Sequence, residues 1–511
     1  MCASRPAFVT LVRAMSDRDP SPATRDPAEL APLLRPRSIA VVGASANPDS
    51  PGHDYLRSLL EFGFAGPVYP VHPREKELLG LAVYPDLRSV PGEVDYVISC
   101  IPSEGVLDLL DQCAEKRVRL AQLFTGRFSE TGQAEGAELE RALLAKARAA
   151  GVRLIGPNCM GLHDPGWGIS FRTDLPRRTG PAAFISQSGN NTTEVLLHSD
   201  VRGVGYRSAI SYGNALDVDE ADLLAYLGEE PDVGVIGAYI EGARDGRRFL
   251  SALRSAAERK PVVIFKGGRT APGARSAVSH TAALAGSALV WRGALRQAGA
   301  VQVNTQEELI DLLVAFSLLP RPFPLSPRER GLGGEVPGRR VGAVGGGGGR
   351  AVQCADACVE HGLSVPPLAE SIRERLRERA PLIAGWVGNP VDQSILAGAG
   401  SGASGAAILE MMVDSPDYDL LIANVGEDWA LGRPDAAGRL AHLTGRFAEI
   451  GKRSPKPIAY VIGPADAPDE PRWRAVEGAR GQLVGAGLAT FPTVERAAWA
   501  LAKWAAWWQR D

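Results

Sequence analysis

Along most of this chain, short β-branched apolar runs alternate with stretches whose apolar residues recur at helical spacing. The first run, SIAVVGAS at residues 38–45, ends on Gly43 and passes through a small-residue loop to Gly52 before the helical pattern YLRSLLEF. That is strand, loop, helix, the opening unit of a doubly wound α/β domain. Further runs follow at residues 67–73 (PVYPVHP), 93–102 (EVDYVISCIP), 120–126 (LAQLFTG) and 152–161 (VRLIGPNCMG). Strands separated by helices predict a parallel sheet, whose ligand lies beyond the carboxyl ends of its strands.

Those strand ends share a character. They finish in Gly43-Ala44-Ser45, Val71-His72-Pro73, Ile101-Pro102-Ser103, Thr125-Gly126 and Asn158-Cys159. Small or Pro-fixed residues let main chain approach a ligand, and the first helix N-terminus can hold phosphate. The GxGxxG fingerprint is absent, since GASANPDSPG stands after the first strand, and no acidic residue ends the second; both features disfavour NAD.

A second unit begins at PAAFISQSGN, residues 181–190, again a strand running into a glycine turn and a helix. Ser186, Ser188 and Gly189 would surround a helix N-terminus with hydroxyls and amides, a cradle for a phosphoryl group. Ordinary N-capping accounts equally well for an isolated SxSG. Residues 211–227 (SYGNALDVDEADLLAYL) follow, then the strands VGVIGAYIEG (233–242), ending in Glu241, and PVVIFKGG (261–268), ending near Lys266. Glu241 is open to two readings, a solvated strand-end charge or a site carboxylate, and Lys266 is a candidate phosphate contact. The next stretch, KGGRTAPGARSAVSHTAALAG, is small, Gly-rich and basic, and sets His280 between Ser279 and Thr281. Such a run cannot pack as core; it reads as a loop presenting one imidazole ahead of a helix start.

Residues 319–339 break periodicity with Pro, Gly and Arg and read as a linker. A third strand, glycine loop and helix follow at residues 341–363, with a pentaglycine at 345–349 that lacks the GK[ST] of a P-loop. Cys354 and Cys358 share a helix face as small apolar fillers. The closing helix carries Trp499, Trp504, Trp507 and Trp508, expected to dock it onto the core.

Length and composition bound this picture. A chain of 511 residues is too long for one ordinary core and suggests about three domains. Hydrophobic residues at 45% and charged residues at 23% are the balance of a globular protein, and a net charge of -3 gives no reason for a nucleic-acid or membrane partner. Six cysteines without CxxC or Cys/His ligand spacing predict a reduced, cytoplasmic protein with no metal site. The Pro-, Ser- and Arg-rich residues 1–28 read as a disordered extension, or as a start placed at Met1 in place of Met15.

Taken in order, SIAVVGAS, PVYPVHP, IGPNCMG, ISQSGN, SYGNALDVDEADLLAYL, YIEG, FKGG and SHTAALAG resemble the α subunit, or α half, of the NDP-forming (ADP-forming) acyl-CoA synthetases, relatives of succinyl-CoA synthetase. The resemblance runs from about residue 30 to the end. It implies an α/β architecture: a CoA-binding Rossmann-like domain (29–165), a flavodoxin-like ligase domain carrying a phosphohistidine loop (166–320), a linker (321–338) and a second flavodoxin-like domain (339–511). It implies that His280 is phosphorylated, that Glu241 supports it, and that Ser186, Ser188 and Gly189, with Ser279 and Thr281, hold phosphate. It places coenzyme A near Gly43, Ala44, Ser45, Val71, Pro73, Lys76, Ile101, Pro102, Thr125 and Asn158.

The resemblance further implies ATP or ADP with Mg2+ bound through a separate ATP-grasp β subunit, in a hetero-oligomer acting on a small carboxylic acid. The expectation is therefore a chain without an ATP-grasp domain that does not turn over ATP alone. It departs from the family in two loops: GFSETG appears as GRFSETG, with Arg127 inserted, and the third domain's glycine loop has become GGGGG. The competing expectation is a CoA-binding scaffold or regulator of the same fold without ligase turnover.

Overall fold

The computed structural model describes residues 27–275, 287–321, 338–396, 404–428, 435–463 and 470–510. Ser279, His280 and Thr281, residues 1–26 and most of the expected linker lie outside the described residues.

The first sheet is built from β1 (Ile39–Val42), β2 (Val68–Val71), β5 (Tyr96–Ser99), β6 (Leu120–Leu123) and β7 (Arg153–Ile155), with a small hairpin, β3 (Glu77–Leu78) and β4 (Leu81–Ala82), after β2. The order is β2-β1-β5-β6-β7, and every pairing is parallel. The near-continuous apolar runs follow from burial on both faces. Ile39 and Val41 pack with Tyr55, Leu56 and Leu59 of helix Pro51–Phe62, whereas Ala40 and Val42 share the opposite core with Leu109, Leu110 and Leu143.

The chain crosses into the second sheet at β8 (Gly161–His163), followed by β9 (Ala182–Ser186), β10 (Tyr206–Ser211), β11 (Val235–Ile240), β12 (Val262–Lys266) and β13 (Val301–Val303). The order is β13-β12-β11-β9-β10-β8, with β8 antiparallel to β10. Apart from β8, both sheets read second, first, third, fourth, fifth, the flavodoxin-like winding. The third sheet, β14 (Val341–Gly345), β15 (Leu420–Asn424), β16 (Ile458–Val461) and β17 (Thr490–Phe491), is also parallel. Its β14 edge is extended by single-residue parallel bridges to Ser364 and Val391, so the same winding survives with a vestigial second strand.

Cys354 and Cys358 are buried in helix Gly348–Glu360, and Trp504 and Trp507 are buried in the closing helix Val494–Trp508. Trp499 and Trp508 pack half-buried against the same core. That helix joins the third unit to the second through a buried ion triad. Asp311, 1% exposed, accepts from Arg202 Nη1 at 2.5 Å, from Arg496 Nε at 2.6 Å and from Arg496 Nη2 at 2.9 Å. Removing the shared anion would leave two guanidinium groups facing each other. Asp311→Ala is therefore expected to cost about 3–5 kcal/mol in urea unfolding; a variant as stable as the parent would refute the triad's role.

Candidate functional site

In a doubly wound sheet the crevice opens where neighbouring strands send their loops in opposite directions. In the first sheet this point lies between β1 and β5. Gly43 sits there at φ +87°, and a Cβ on it would come 3.0 Å from the Cys100 carbonyl carbon and 3.1 Å from Ile101 Cγ2. Only glycine keeps this approach open. Behind it Ser50 caps helix Pro51–Phe62, and Ser45 shapes the loop, its Oγ accepting from Asn47 N at 3.1 Å and its carbonyl 3.0 Å from His53 Nδ1.

The rim continues across the sheet. Thr125 Oγ1 donates to the Ile101 carbonyl at 2.6 Å, and Asn158 N donates to the Thr125 carbonyl at 2.9 Å. Ala44 and Val71 are buried, so they can offer a ligand only main chain; Pro73, Lys76 and Pro102 are exposed on the flanking loops. Bare main chain at Gly43 and a helix N-terminus behind it fit a phosphate-bearing ligand such as coenzyme A.

In the second sheet the crevice lies between β9 and β11. Ser186 Oγ accepts from Ser188 N at 3.0 Å and donates to the Ser188 carbonyl at 2.8 Å, while Ser188 Oγ caps helix Gly189–Asp200 by accepting from Asn191 N at 3.3 Å. Both hydroxyls build the turn, and the first amides of the helix point out of its amino end as an anion site. Across the crevice, Glu241 is 7% exposed and accepts from Tyr239 Oη at 3.0 Å. Between them lies Gln187. Its Oε1 accepts from Glu241 N at 2.5 Å and Gly242 N at 3.1 Å, and its Nε2 donates to the Gly242 carbonyl at 3.1 Å.

Residues 37–165 match the family model of the CoA binding domain, and residues 179–316 that of the succinyl-CoA ligase like flavodoxin domain. The chain is 31% identical over 484 residues to the acetate–CoA ligase [ADP-forming] I subunit alpha of Pyrococcus furiosus, covering 93% of this chain and 97% of that one. It is 35% identical over 391 residues to the II subunit alpha of the same organism, covering 76% and 81%. The chain belongs to the ADP-forming acyl-CoA synthetase family. Its fold is also that of the dinucleotide-forming acetyl-coenzyme A synthetase 1 of Ca. Korarchaeum cryptofilum, solved with phosphate and ADP, at a TM-score of 0.76 and 31% identity over 94% of this chain and 96% of that one.

In this acyl-CoA synthetase chain, the structure brings Ser186, Ser188, Gly189 and Glu241 to one crevice and Gly43, Ala44, Ser45, Ile101, Pro102, Thr125 and Asn158 to another. Lys266 departs from its expected role as a phosphate contact. It is 2% exposed, and its Nζ donates to the Glu241 carbonyl at 2.6 Å and to the Gly267 carbonyl, 4.9 Å from the Trp291 ring centre. Burial pushes this ammonium down to about 8. Two of its three hydrogens are given to main chain, so it fixes the strand end.

Gln187 stands between the two serines of ISQSGN, yet its pattern in the sequence does not mark it as a site residue. A glutamine in a turn gives no sign of which strand it will reach. The acidic stretch after SYGN held another surprise. Asp219 caps helix Glu220–Glu229 and binds Arg248 Nη1 at 2.5 Å, but Glu220 Oε2 and the nearby Tyr212 Oη are buried without a hydrogen-bond partner. Burial, reinforced by the Asp219 charge, pushes the Glu220 carboxyl from its ordinary 4.5 up to about 8.

Between those two values the folded chain keeps a proton that the unfolded chain releases, so the folded state binds more protons and Glu220 lowers stability as pH rises through that window. The isosteric Glu220→Gln lacks this slope. Relative to the parent, it should gain stability from about pH 5 to about pH 8, read as urea midpoints against pH; parallel profiles would show Glu220 ionised in the folded state.

Proposed function

We propose that this chain is the α subunit of an ADP-forming acyl-CoA synthetase. With an ATP-grasp β partner it interconverts acid, CoA and ATP with acyl-CoA, ADP and phosphate, through an acyl phosphate and a phosphohistidine. The observation that carries this reading is the crevice between β9 and β11, where a capped helix N-terminus faces a carboxylate fixed by its own main chain. The comparisons support the subunit assignment, because the Pyrococcus relatives are named α subunits and are matched over 97% and 81% of their length.

In this reading His280 is the nucleophile. A neutral imidazole attacks phosphorus near pH 7, and its phosphoramidate retains high transfer potential. Glu241 accepts from the other ring nitrogen, sets the tautomer and stabilises the cation formed on attack. The helix that begins at Gly189, with Ser186 and Ser188 shaping its entry and Ser279 and Thr281 flanking the histidine, neutralises the phosphoryl oxygens. Coenzyme A occupies the first crevice, along Gly43–Ser45, Ile101–Pro102, Thr125 and Asn158, with Val71, Pro73 and Lys76 on the neighbouring strand end. The nucleotide and its Mg2+ sit on the β partner.

The test is phosphoryl transfer. Co-purification from the source cell is expected to yield an ATP-grasp partner, and the complex should transfer label from γ-labelled ATP to this chain. His280→Ala should abolish the label, and Glu241→Gln should slow its appearance by on the order of 10²-fold, the scale of one positioned acid–base group. A labelled His280→Ala chain would overturn the assignment. A complex that turns over ATP without labelling the wild-type chain would favour the CoA-binding scaffold.

A further inference from the structure

We infer that the side chain of Met160 is the wall against which the acyl group rests, and that it sets the length of acyl chain this protein accepts. The inference rests on the acyl-CoA synthetase reading above and adds a specificity residue to it.

The chemistry fixes where the acyl carbon must be. As the CoA sulfur bonds to the carbonyl carbon, the carbon–oxygen bond to phosphate breaks, and the thiol proton leaves on inorganic phosphate. The acyl carbon therefore lies within bonding reach of both the thiol and the phosphate. The thiol approaches from the first crevice and the phosphate sits at the head of helix Gly189–Asp200. The residue between these two places is the one the acyl group meets.

Two independent observations put Met160 there. From the CoA side, the rim of the first sheet runs from Ile101 through Thr125 to Asn158, each bonded to the next, and Met160 is two residues further on. From the phosphate side, a Cβ on Gly189 would fall 2.5 Å from Met160 Cγ and 3.4 Å from Met160 Sδ, so the thioether lies directly on the first residue of the helix.

The backbone of Met160 is held independently of its side chain. Its N–H donates to Ser211 Oγ of β10 at 3.1 Å, and its carbonyl accepts from Tyr55 Oη at 2.8 Å and Gln122 Nε2 at 2.9 Å. Gln122 also donates to Tyr55 Oη at 3.0 Å and accepts from Tyr96 Oη. The side chain itself is half-buried. A flexible, polarizable side chain on a fixed main chain is suited to packing against an apolar acyl chain, and changing its volume should leave these main-chain bonds intact.

The experiment uses the full chain and isothermal titration with CoA, acetyl-CoA, butyryl-CoA and hexanoyl-CoA. Met160→Ala should raise the affinity for hexanoyl-CoA relative to acetyl-CoA by about 10-fold or more, the scale of one or two methylenes in an apolar pocket. Met160→Phe should shift the ratio the opposite way, and Met160→Leu should keep the parent's order. Free CoA should bind all four proteins within about twofold, because the pantetheine and nucleotide contact the first crevice. Unchanged acyl-CoA ratios in both the Ala and Phe variants, with free CoA still bound, would overturn the role of Met160 alone. Failure of the parent chain to bind free CoA would overturn the acyl-CoA synthetase reading and this inference with it.

Discussion

The second crevice depends on how the main chain is satisfied where β9 and β11 part. A parallel ladder ends at the strands' carboxyl ends, and the diverging loops leave buried N–H and C=O groups that need other partners. The carboxamide of Gln187 adds one more rung: one oxygen takes two amides of the β11 loop, and the nitrogen takes a carbonyl. Lys266, at the end of the next strand, takes the Glu241 carbonyl. Both main-chain groups of Glu241 are thereby fixed from two sides. The carboxylate is held by its backbone and accepts from Tyr239 Oη.

A similar constraint joins the two crevices. Leu154, Gly156 and Pro157 accept through their carbonyls from Val218 N at 3.1 Å, Leu216 N at 3.0 Å and Asn214 N at 3.0 Å. Gly213, at φ +54°, packs so closely that a Cβ would run into the Pro157 and Asn158 carbonyls. The SYGNALDVDE stretch is thus a seam stitching the second domain to the loop after β7. Met160 is on that loop, which explains how one residue can be bonded to both sheets. On the proposed function, the phosphoryl and thiol sites lie on separate domains, and such a seam would let the acyl carbon reach both.

This also shows what was legible in the residues. Strands β1, β9, β11 and β14 were readable because burial on two faces demands continuous apolar runs, and their glycine or small-residue ends marked the crevices. Strand β10 was not, because YRSAIS carries Arg207 at its second position, a charge that Asp164 meets at 2.5 Å and Asp232 at 3.9 Å. Strands β13 and β17 have three and two residues, too few for periodicity to speak. Lys266 was only a candidate phosphate contact for a related reason: its place at a strand end does not tell which carbonyls the fold will bring to it. Gln187 and Met160 act through tertiary contacts, and nothing in their local pattern announces these.

The loop that carries Arg127 borders this seam. Arg127 is exposed at φ +74°, a left-handed bulge that turns its side chain out of the loop. Its N–H donates to Glu130 Oε1 at 2.5 Å, and the same carboxylate accepts from Phe128 N at 3.1 Å and from Asn214 Nδ2 at 2.7 Å. The carboxylate therefore closes its own loop and still reaches the second domain. Phe128 remains buried, and Ser129 Oγ donates to Glu140 Oε2, which also lies 3.5 Å from Asn214 Nδ2. The left-handed conformation of Arg127 costs on the order of 1 kcal/mol, which the bonds to Glu130 offset. Glu130 and Glu140 thus converge on Asn214, and the loop after β6 is tied to the second domain through that carboxamide.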